Sequence, residues 1–272
     1  MGLVDVAASL NVHYMTAYRY VRRGLLPAIK VDGEWRIQTD DLDAFRRRRS
    51  PSVGRGTKDL PVWSERYERR LLAADGNGAW WVIEDSLVSG ASPEHVYLHV
   101  MAPAMERIGA EWAAGRLGIF AEHQATVLVQ QHLARLSPRF NRPGQKRGTV
   151  VLGCPPGERH ELGLRVVADL LRSIGFEAVS LGQDTPAEAF AEAAAVAGAV
   201  VAIGVSIHRV EPGDRHVEML QELRALCPGL LLLVGGAGAG ELDVPPGVVD
   251  HLSYDAEATV RWLDGRLGGD ER

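Results

Sequence analysis

Three patterns of apolar and polar residues follow one another along the chain. The first, over residues 1–49, consists of short apolar stretches that predict three helices and a β-hairpin. The helices are expected at 4–10, at about 13–23 and, capped by Thr39, at 39–45; the hairpin strands at 29–31 and 35–37 flank the turn dipeptide Asp32-Gly33. Residues 50–59 are polar and glycine-containing, which is typical of a linker. The first pattern therefore predicts a small N-terminal domain over 1–49.

The second pattern, over residues 60–137, repeats with a period near 3.6, as amphipathic helices do. Glycine-containing breaks separate four such segments, which lie at 61–74, 79–89, 94–113 and 119–136. Short connections between consecutive helices favour antiparallel packing. The second pattern therefore predicts a four-helix bundle.

The third pattern, over residues 149–267, alternates short apolar runs with helical stretches. The strands are expected at 149–153, 178–181, 199–206, 230–234 and 251–253, and the helices at 161–174, 186–197, 214–226 and 256–266. This alternation predicts a parallel sheet with helices on both faces. The predicted fold class is thus multidomain, α and α/β, and it ends in a flavodoxin-like doubly wound parallel sheet.

Charge sets the first segment apart from the rest of the chain. The net charge is −5, but residues 1–70 hold 14 Lys and Arg against 9 Asp and Glu, whereas the remainder holds 16 against 26. A basic head on an acidic body suggests that the head alone meets a polyanion. No apolar run approaches the roughly 18 to 20 residues of a membrane span, and no signal-peptide pattern is present. We therefore expect a cytoplasmic protein that does not enter membranes.

The first two predicted helices can pack across a tight turn through apolar residues, namely Ala7, Ala8, Leu10, Val12, Ala17, Tyr18 and Val21. Polar residues of the second helix then face outwards, where a helix can read base edges in the major groove, and basic residues can neutralise phosphates. The predicted DNA-binding residues are His13, Tyr14, Thr16, Arg19, Arg22, Arg23, Lys30 and Arg36. A small helical docking domain with a solvated basic face is the alternative.

Two stretches of this head, NVHYMTAYRYVRRGLLP and VDGEWRI, resemble the excisionase-like and MerR-type winged helix-turn-helix. The hairpin at Asp32-Gly33 would form the wing of that fold. The resemblance implies that the partner of the head is a double-stranded DNA operator.

A histidine motif follows the first strand of the third segment. Glu158-Arg159-His160-Glu161-Leu162-Gly163 lies in a loop at the carboxyl end of that strand, where doubly wound sheets bind their ligands. His160 can offer one imidazole nitrogen to a metal while a carboxylate accepts a hydrogen bond from the other, which fixes the tautomer. Glu158 is well placed for that second contact.

With later residues, this loop resembles the cobalamin-binding pattern Asp-x-His-x-x-Gly, Ser-x-Leu or Ser-x-Thr, and Gly-Gly. The matching positions are Glu158, His160, Gly163, Ser206, Gly235 and Gly236. The resemblance implies that His160 replaces the nucleotide base as the lower ligand of cobalt, that Ser206 supports Glu158, and that the glycines line a slot for the nucleotide tail. Glu158 in place of aspartate and His208 in place of leucine or threonine depart from the pattern. Nucleotide binding by GGAGAG at 235–240 is the weaker interpretation, since this run follows the fourth strand.

A further group, Trp112, Glu122 and His123, stands across the turn between the third and fourth predicted bundle helices. The spacing resembles the cap of CarH/LitR-type regulators, which are adenosylcobalamin-dependent photoreceptors with the same order of domains. The resemblance implies that Trp112 covers the upper face of cobalt and that Glu122 and His123 contact the 5′-deoxyadenosyl group. A bundle-core tryptophan beside a solvated helix turn is the alternative. Ala113 stands where the family has a histidine that can bind cobalt after photolysis; His123 and His132 are conceivable substitutes.

The resemblance predicts a light-responsive transcriptional regulator rather than an enzyme. Photolysis of adenosylcobalamin would change its homo-oligomeric state, a dimer or a tetramer, and its affinity for DNA. Three alternatives stay open at this point: a corrinoid protein of a methyltransferase or mutase system, a regulator that senses cobalamin level or redox state, and a regulator without a cofactor. The basic head argues against the first.

Overall fold

The computed structural model describes residues 1–10, 14–22, 26–31, 33–49 and 60–268. The chain divides into two compact units, Met1–Leu128 and Val129–Arg272. The boundary falls within helix α8, so the last turns of that helix belong to the second unit. Within the described ranges, no helix is both long enough and apolar enough to cross a bilayer.

The N-terminal part of the first unit consists of three helices and a two-stranded hairpin. Its elements are α1 (Leu3–Ser9), α2 (Tyr14–Arg22), β1 (Ile29–Val31), β2 (Glu34–Arg36) and α3 (Thr39–Arg49). The strands are antiparallel, and Gly33 between them adopts a φ of +85°, which suits glycine in a tight turn. One apolar cluster joins all three helices, with Val6, Ala17 and Leu42 at its centre.

Several details of this part differ from the sequence-based expectation. The third helix runs to Arg49 rather than ending at 45, and the second strand lies at Glu34–Arg36 rather than at 35–37. Ala8 is exposed, because α1 turns Leu3, Val6 and Ala7 towards the core instead. Thr39 is the first residue of α3 and not its cap. Tyr20, which was not expected in the core, is buried with its ring centroid 5.1 Å from that of Phe45. The expected turn at 11–12, the helix end at 24 and residue 32 of the hairpin lie outside the described residues.

The remainder of the first unit is helical, as the 3.6-residue pattern predicts. Its helices are α4 (Leu60–Leu72), α5 (Gly76–Val88), α6 (Pro93–His95), α7 (Ala102–Ala113) and α8 (Ile119–Leu136). A π-helical stretch, Val96–Met101, joins α6 to α7, so the third expected segment is one continuous but irregular helix. Asp75 caps α5 through the amide of Gly78, at 2.7 Å, and Ser92 caps α6.

The second unit contains a five-stranded parallel sheet in the order β4-β3-β5-β6-β7. The strands are β3 (Thr149–Gly153), β4 (Glu177–Gly182), β5 (Val200–Ser206), β6 (Leu231–Gly235) and β7 (His251–Ser253). The helices between and after them are α9 (Leu162–Ser173), α10 (Ala187–Ala197), α11 (His216–Leu226) and α12 (Ala256–Leu267). This order confirms the predicted flavodoxin-like sheet. Its switch point lies between β3 and β5, where the connections leave in opposite directions.

Candidate functional site

A buried carboxylate organises the loop that follows β3. The Glu158 side chain is 3% exposed, and its Oε1 lies 2.6 Å from Nδ1 of His160 and accepts the His160 amide at 2.8 Å. Its Oε2 accepts the amides of His208 and Arg209, at 2.7 and 3.1 Å, from the loop that follows β5. The carboxylate therefore ties together the two loops at the switch point of the sheet.

These hydrogen bonds keep Glu158 ionised. Burial opposes ionisation, but the His160 ring and the amides of His160, His208 and Arg209 outweigh it and lower the pKa of Glu158 to about 2. An ionised carboxylate can only accept, so Nδ1 of His160 carries the proton and Nε2 carries the lone pair that a metal can use. The His160 side chain is 49% exposed. The arrangement presents a single oriented nitrogen ligand at the carboxyl edge of the sheet.

His208 contributes to the same site in a way that the sequence did not reveal. Its ring packs against the His160 ring, with centroids 4.5 Å apart and planes at 37°. Burial and the neighbouring His160 lower the pKa of His208, which favours the neutral ring. The support expected of Ser206 comes instead from the backbone amides of His208 and Arg209, whereas Ser206 lines a cavity.

That cavity, of about 110 Å³, forms a slot between the sheet and helices α9 and α12. The predicted residues Gly163, Gly235 and Gly236 all line it. Gly236 has a φ of +100°, and a Cβ there would lie 2.2 Å from the carbonyl oxygen of Ile207, so a side chain would not fit. An imidazole ligand beside a cradle bounded by glycines fits a corrinoid whose nucleotide tail enters the protein.

The residues expected to form a cap lie in the first unit. Trp112 is the penultimate residue of α7 and is 37% exposed. In the first turns of α8, Glu122 accepts the Thr126 hydroxyl at 2.8 Å, and the neighbouring His123 side chain is 69% exposed. Of the two substitutes considered for Ala113, His123 is thus accessible, while His132 is buried, at 3% exposure.

The expected DNA-binding residues are only partly described. Tyr14, Arg22, Lys30 and Arg36 are exposed, and Arg36 pairs with Glu34, two residues earlier on β2, at 3.2 Å. Residues 13 and 23 lie outside the described part of the chain, as do the side chains at 16 and 19. The described residues place Tyr14 and Arg22 at the two ends of α2.

Three domain models match successive parts of the chain. Residues 1–50 match a helix-turn-helix domain, residues 63–137 a B12 binding domain, and residues 148–261 a further B12 binding domain. Glu158, His160, His208 and the slot glycines fall in the last of these ranges, whereas Trp112, Glu122 and His123 fall in the second. The chain is therefore a helix-turn-helix protein with two B12 binding domains.

Two transcriptional repressors are similar to a large part of the chain. The chain is 31% identical over 193 residues to the HTH-type transcriptional repressor CarH of Myxococcus xanthus, a match that covers 69% of this chain and 63% of that protein. It is also 31% identical to the repressor CarA of the same organism, with 65% and 59% covered. These matches confirm the predicted resemblance to CarH-type regulators; the chain spans about three fifths of the length of each.

Corrinoid proteins match part of the chain. Trimethylamine corrinoid protein 2 of Methanosarcina acetivorans is 29% identical over 113 residues, which is 40% of this chain and 52% of that protein. The solved monomethylamine corrinoid protein of Methanosarcina barkeri superimposes with a TM-score of 0.63 at 17% identity, covering 75% of this chain and 98% of that one. The structural likeness confirms the fold class.

Proposed function

We propose that this chain is a cytoplasmic transcriptional regulator that binds adenosylcobalamin and releases or engages operator DNA in response to light. The observation that carries the proposal is the imidazole of His160, oriented by the buried carboxylate of Glu158 beside a glycine-lined slot. The helix-turn-helix match at residues 1–50 supports an output on DNA. The similarity to two transcriptional repressors supports the regulatory role.

Each part of the chain has a distinct task in this proposal. His160 holds the cofactor through Nε2, Glu158 fixes the ring, and Gly163, Gly235 and Gly236 make room for the nucleotide tail. Trp112, Glu122 and His123 would hold the adenosyl group of the cofactor. Adenosylcobalamin would supply a carbon–cobalt bond that visible light breaks. Because Ala113 offers no nitrogen, His123 is the accessible imidazole in the cap.

The response to light follows because binding of the adenosyl group and assembly of the oligomer are thermodynamically linked. Contacts of Trp112, Glu122 and His123 with the adenosyl group stabilise one homo-oligomer, a dimer or a tetramer. Loss of those contacts changes the equilibrium between the two assembly states. The free energy of this change is no larger than the difference in the strength of the contacts between the two states. Linked heads bind DNA with greater avidity than a single head, so a change in assembly changes operator affinity.

The proposal is tested by measuring size and spectrum with adenosylcobalamin in darkness and after green light. The protein should bind the cofactor in darkness and change its elution volume on illumination. Protein loaded with hydroxocobalamin, which lacks the adenosyl group, is the matched control and should keep one size throughout. If the size and DNA affinity of the adenosylcobalamin complex were the same in darkness and after illumination, the proposed light response would be overturned. The protein would then be a regulator that senses cobalamin level.

A corrinoid protein of a methyltransferase system is the second candidate. The similarity of part of the chain to corrinoid proteins favours it. The helix-turn-helix match at residues 1–50 favours the regulator. Methyl transfer from methylcobalamin-loaded protein, together with no affinity for DNA, would reverse this order.

Replacing Trp112 with alanine should separate sensing from cofactor retention. Affinity for hydroxocobalamin should stay within about threefold of wild type, because ligation by His160 is untouched, whereas the change in size on illumination should be lost. Trp112→Phe, which keeps an aromatic face, should restore most of the response. If Trp112→Ala altered neither the size change nor the spectrum, Trp112 would be a packing residue only.

Replacing Arg22 with alanine should weaken DNA binding uniformly across sequences. Arg22 is exposed at the end of α2, where it can neutralise a phosphate without reading a base. The slope of log affinity against log salt should fall by about 1 for each head that binds. Arg261→Ala, an exposed arginine of α12 paired with Glu257, is the control and should leave the slope unchanged.

A further inference from the structure

The slot changes in chemistry from its mouth to its floor. At the carboxyl ends of three neighbouring strands, the register aligns Ser206, Gly235 and Ser253. Two residues earlier on the same face of the sheet, Gly204 of β5 lies between Leu152 and Leu233. Two strand residues span about 7 Å, so this row lies well below the mouth. The mouth carries hydroxyls and the floor carries hydrocarbon.

Helix α9 continues the same gradient on the opposite wall. Gly163 lies in its first turn, beside the mouth, and Val167 and Leu171 follow one and two turns deeper. Leu171 and the sheet residues Leu152 and Leu233 are each at most 3% exposed. A ring that reaches the floor is therefore surrounded by aliphatic side chains.

The hydroxyl protons of two slot residues already have partners. The Ser253 hydroxyl donates to the carbonyl of Asp255 at 3.4 Å and accepts the Asp255 amide at 3.1 Å. The Thr259 hydroxyl donates to the same carbonyl at 3.1 Å. These bonds hold both side chains towards the start of α12. Their hydroxyl protons are therefore not available as donors to a ligand at the floor.

Gly204 allows a neighbouring hydrocarbon side chain to cover the floor of the slot. A Cβ at this position would lie 2.6 Å from Cδ2 of Leu152, closer than two carbon atoms can approach. The missing side chain therefore leaves room for the Leu152 side chain, which covers Gly204 with hydrocarbon at the floor.

We infer that the slot selects corrinoids by their lower base, accepting benzimidazole-class bases and disfavouring adenine. This inference rests on the proposed function, because it assigns the slot to the nucleotide tail. In both kinds of base the six-membered ring is the part farther from the ribose, so it occupies the floor. A dimethylbenzimidazole places two methyl groups there. Adenine places an amine and ring nitrogens there, and buried polar groups without partners weaken binding.

The test compares three adenosyl corrinoids, in darkness, by titration of the full chain. Cobalamin should bind more tightly than the analogue with adenine as its lower base, and cobinamide, which lacks the base, should bind more weakly than cobalamin. Equal affinities for cobalamin and the adenine analogue, or for cobalamin and cobinamide, would overturn the inference alone. Failure to bind any of the three would overturn the proposed function as well.

The nucleotide base must leave cobalt before the tail can enter the slot, and the free energy of this release differs between the corrinoids. It is the same for every protein variant, so a comparison between variants cancels it. Val167→Thr adds a hydroxyl to the floor at constant size and should reduce the preference for cobalamin over the adenine analogue by about threefold or more. Val166→Thr, the next residue on α9 and outside the slot lining, is the matched control. A preference that is the same in the two variants would contradict the inference.

Discussion

Replacing His160 with alanine is expected to lower the affinity for cobalamin by about a hundredfold or more. Loss of a residue that only orients a metal ligand typically costs about 10- to 100-fold, and His160 is assigned as the ligand itself. The apoprotein should keep its melting temperature within a few degrees, since the side chain is 49% exposed. Titration followed by absorbance gives the affinity, and the spectrum reports whether a protein nitrogen has replaced the nucleotide base.

His99→Ala is the control for this substitution. His99 is an exposed histidine near the start of the continuous helix that ends beyond Trp112, so it lies at the far end from the cap residue. The variant should bind cobalamin as wild type does. If His160→Ala bound cobalamin as tightly as wild type and with an unchanged spectrum, His160 would not be the ligand of cobalt.

Replacing Glu158 with glutamine is expected to destabilise the apoprotein by about 2 to 3 kcal/mol at neutral pH. The substitution removes a buried charge that accepts three backbone amides and one ring nitrogen, and hydrogen bonds to charged groups are worth more than neutral ones. Cobalamin affinity should also fall, by about 10- to 100-fold, because the His160 tautomer is no longer fixed. Denaturant unfolding measures the first effect and titration the second.

The stability difference should depend on pH in a defined direction. The pKa of Glu158 is lowered to about 2 in the folded chain, so the ionised group stabilises the protein above its unfolded pKa. This contribution is lost as pH falls through the acid range towards 2, and wild type and Glu158→Gln should then converge. Glu257→Gln, which alters an exposed carboxylate, should cost less than about 0.5 kcal/mol. A constant difference between wild type and Glu158→Gln at every pH would mean that the loss comes from packing.

The sequence predicted the sheet and its helices closely, because buried parallel strands read as uniform apolar runs. The expected strand at 149–153 coincides with β3, and the other four agree with the structure within a residue at each end. The helix irregularity at Val96–Met101 was not predictable, since a π-helical turn leaves the apolar spacing nearly unchanged. The exposure of Ala8 was missed for a similar reason, because a small residue beside a helix stripe fits either face.

The contacts of the site that are made by side chains were predictable from the sequence, whereas those made by backbone amides were not. Spacing brought Glu158 and His160 together, and the structure places them 2.6 Å apart. Every residue except proline has a backbone amide, so the sequence does not reveal that the amides of His208 and Arg209 bind Glu158. The cobalamin-binding pattern points to Ser206 instead. Gly204 could have been found, since a glycine within the apolar run of β5 is unusual.

Electron paramagnetic resonance of the one-electron-reduced complex, with histidine labelled by nitrogen-15, tests the central claim most directly. If the His160 imidazole binds cobalt, the three-line nitrogen splitting should become a two-line splitting on labelling, and His160→Ala should abolish the change. A three-line splitting that labelling leaves unaltered would place the cofactor's own base on the metal. That result would contradict the account.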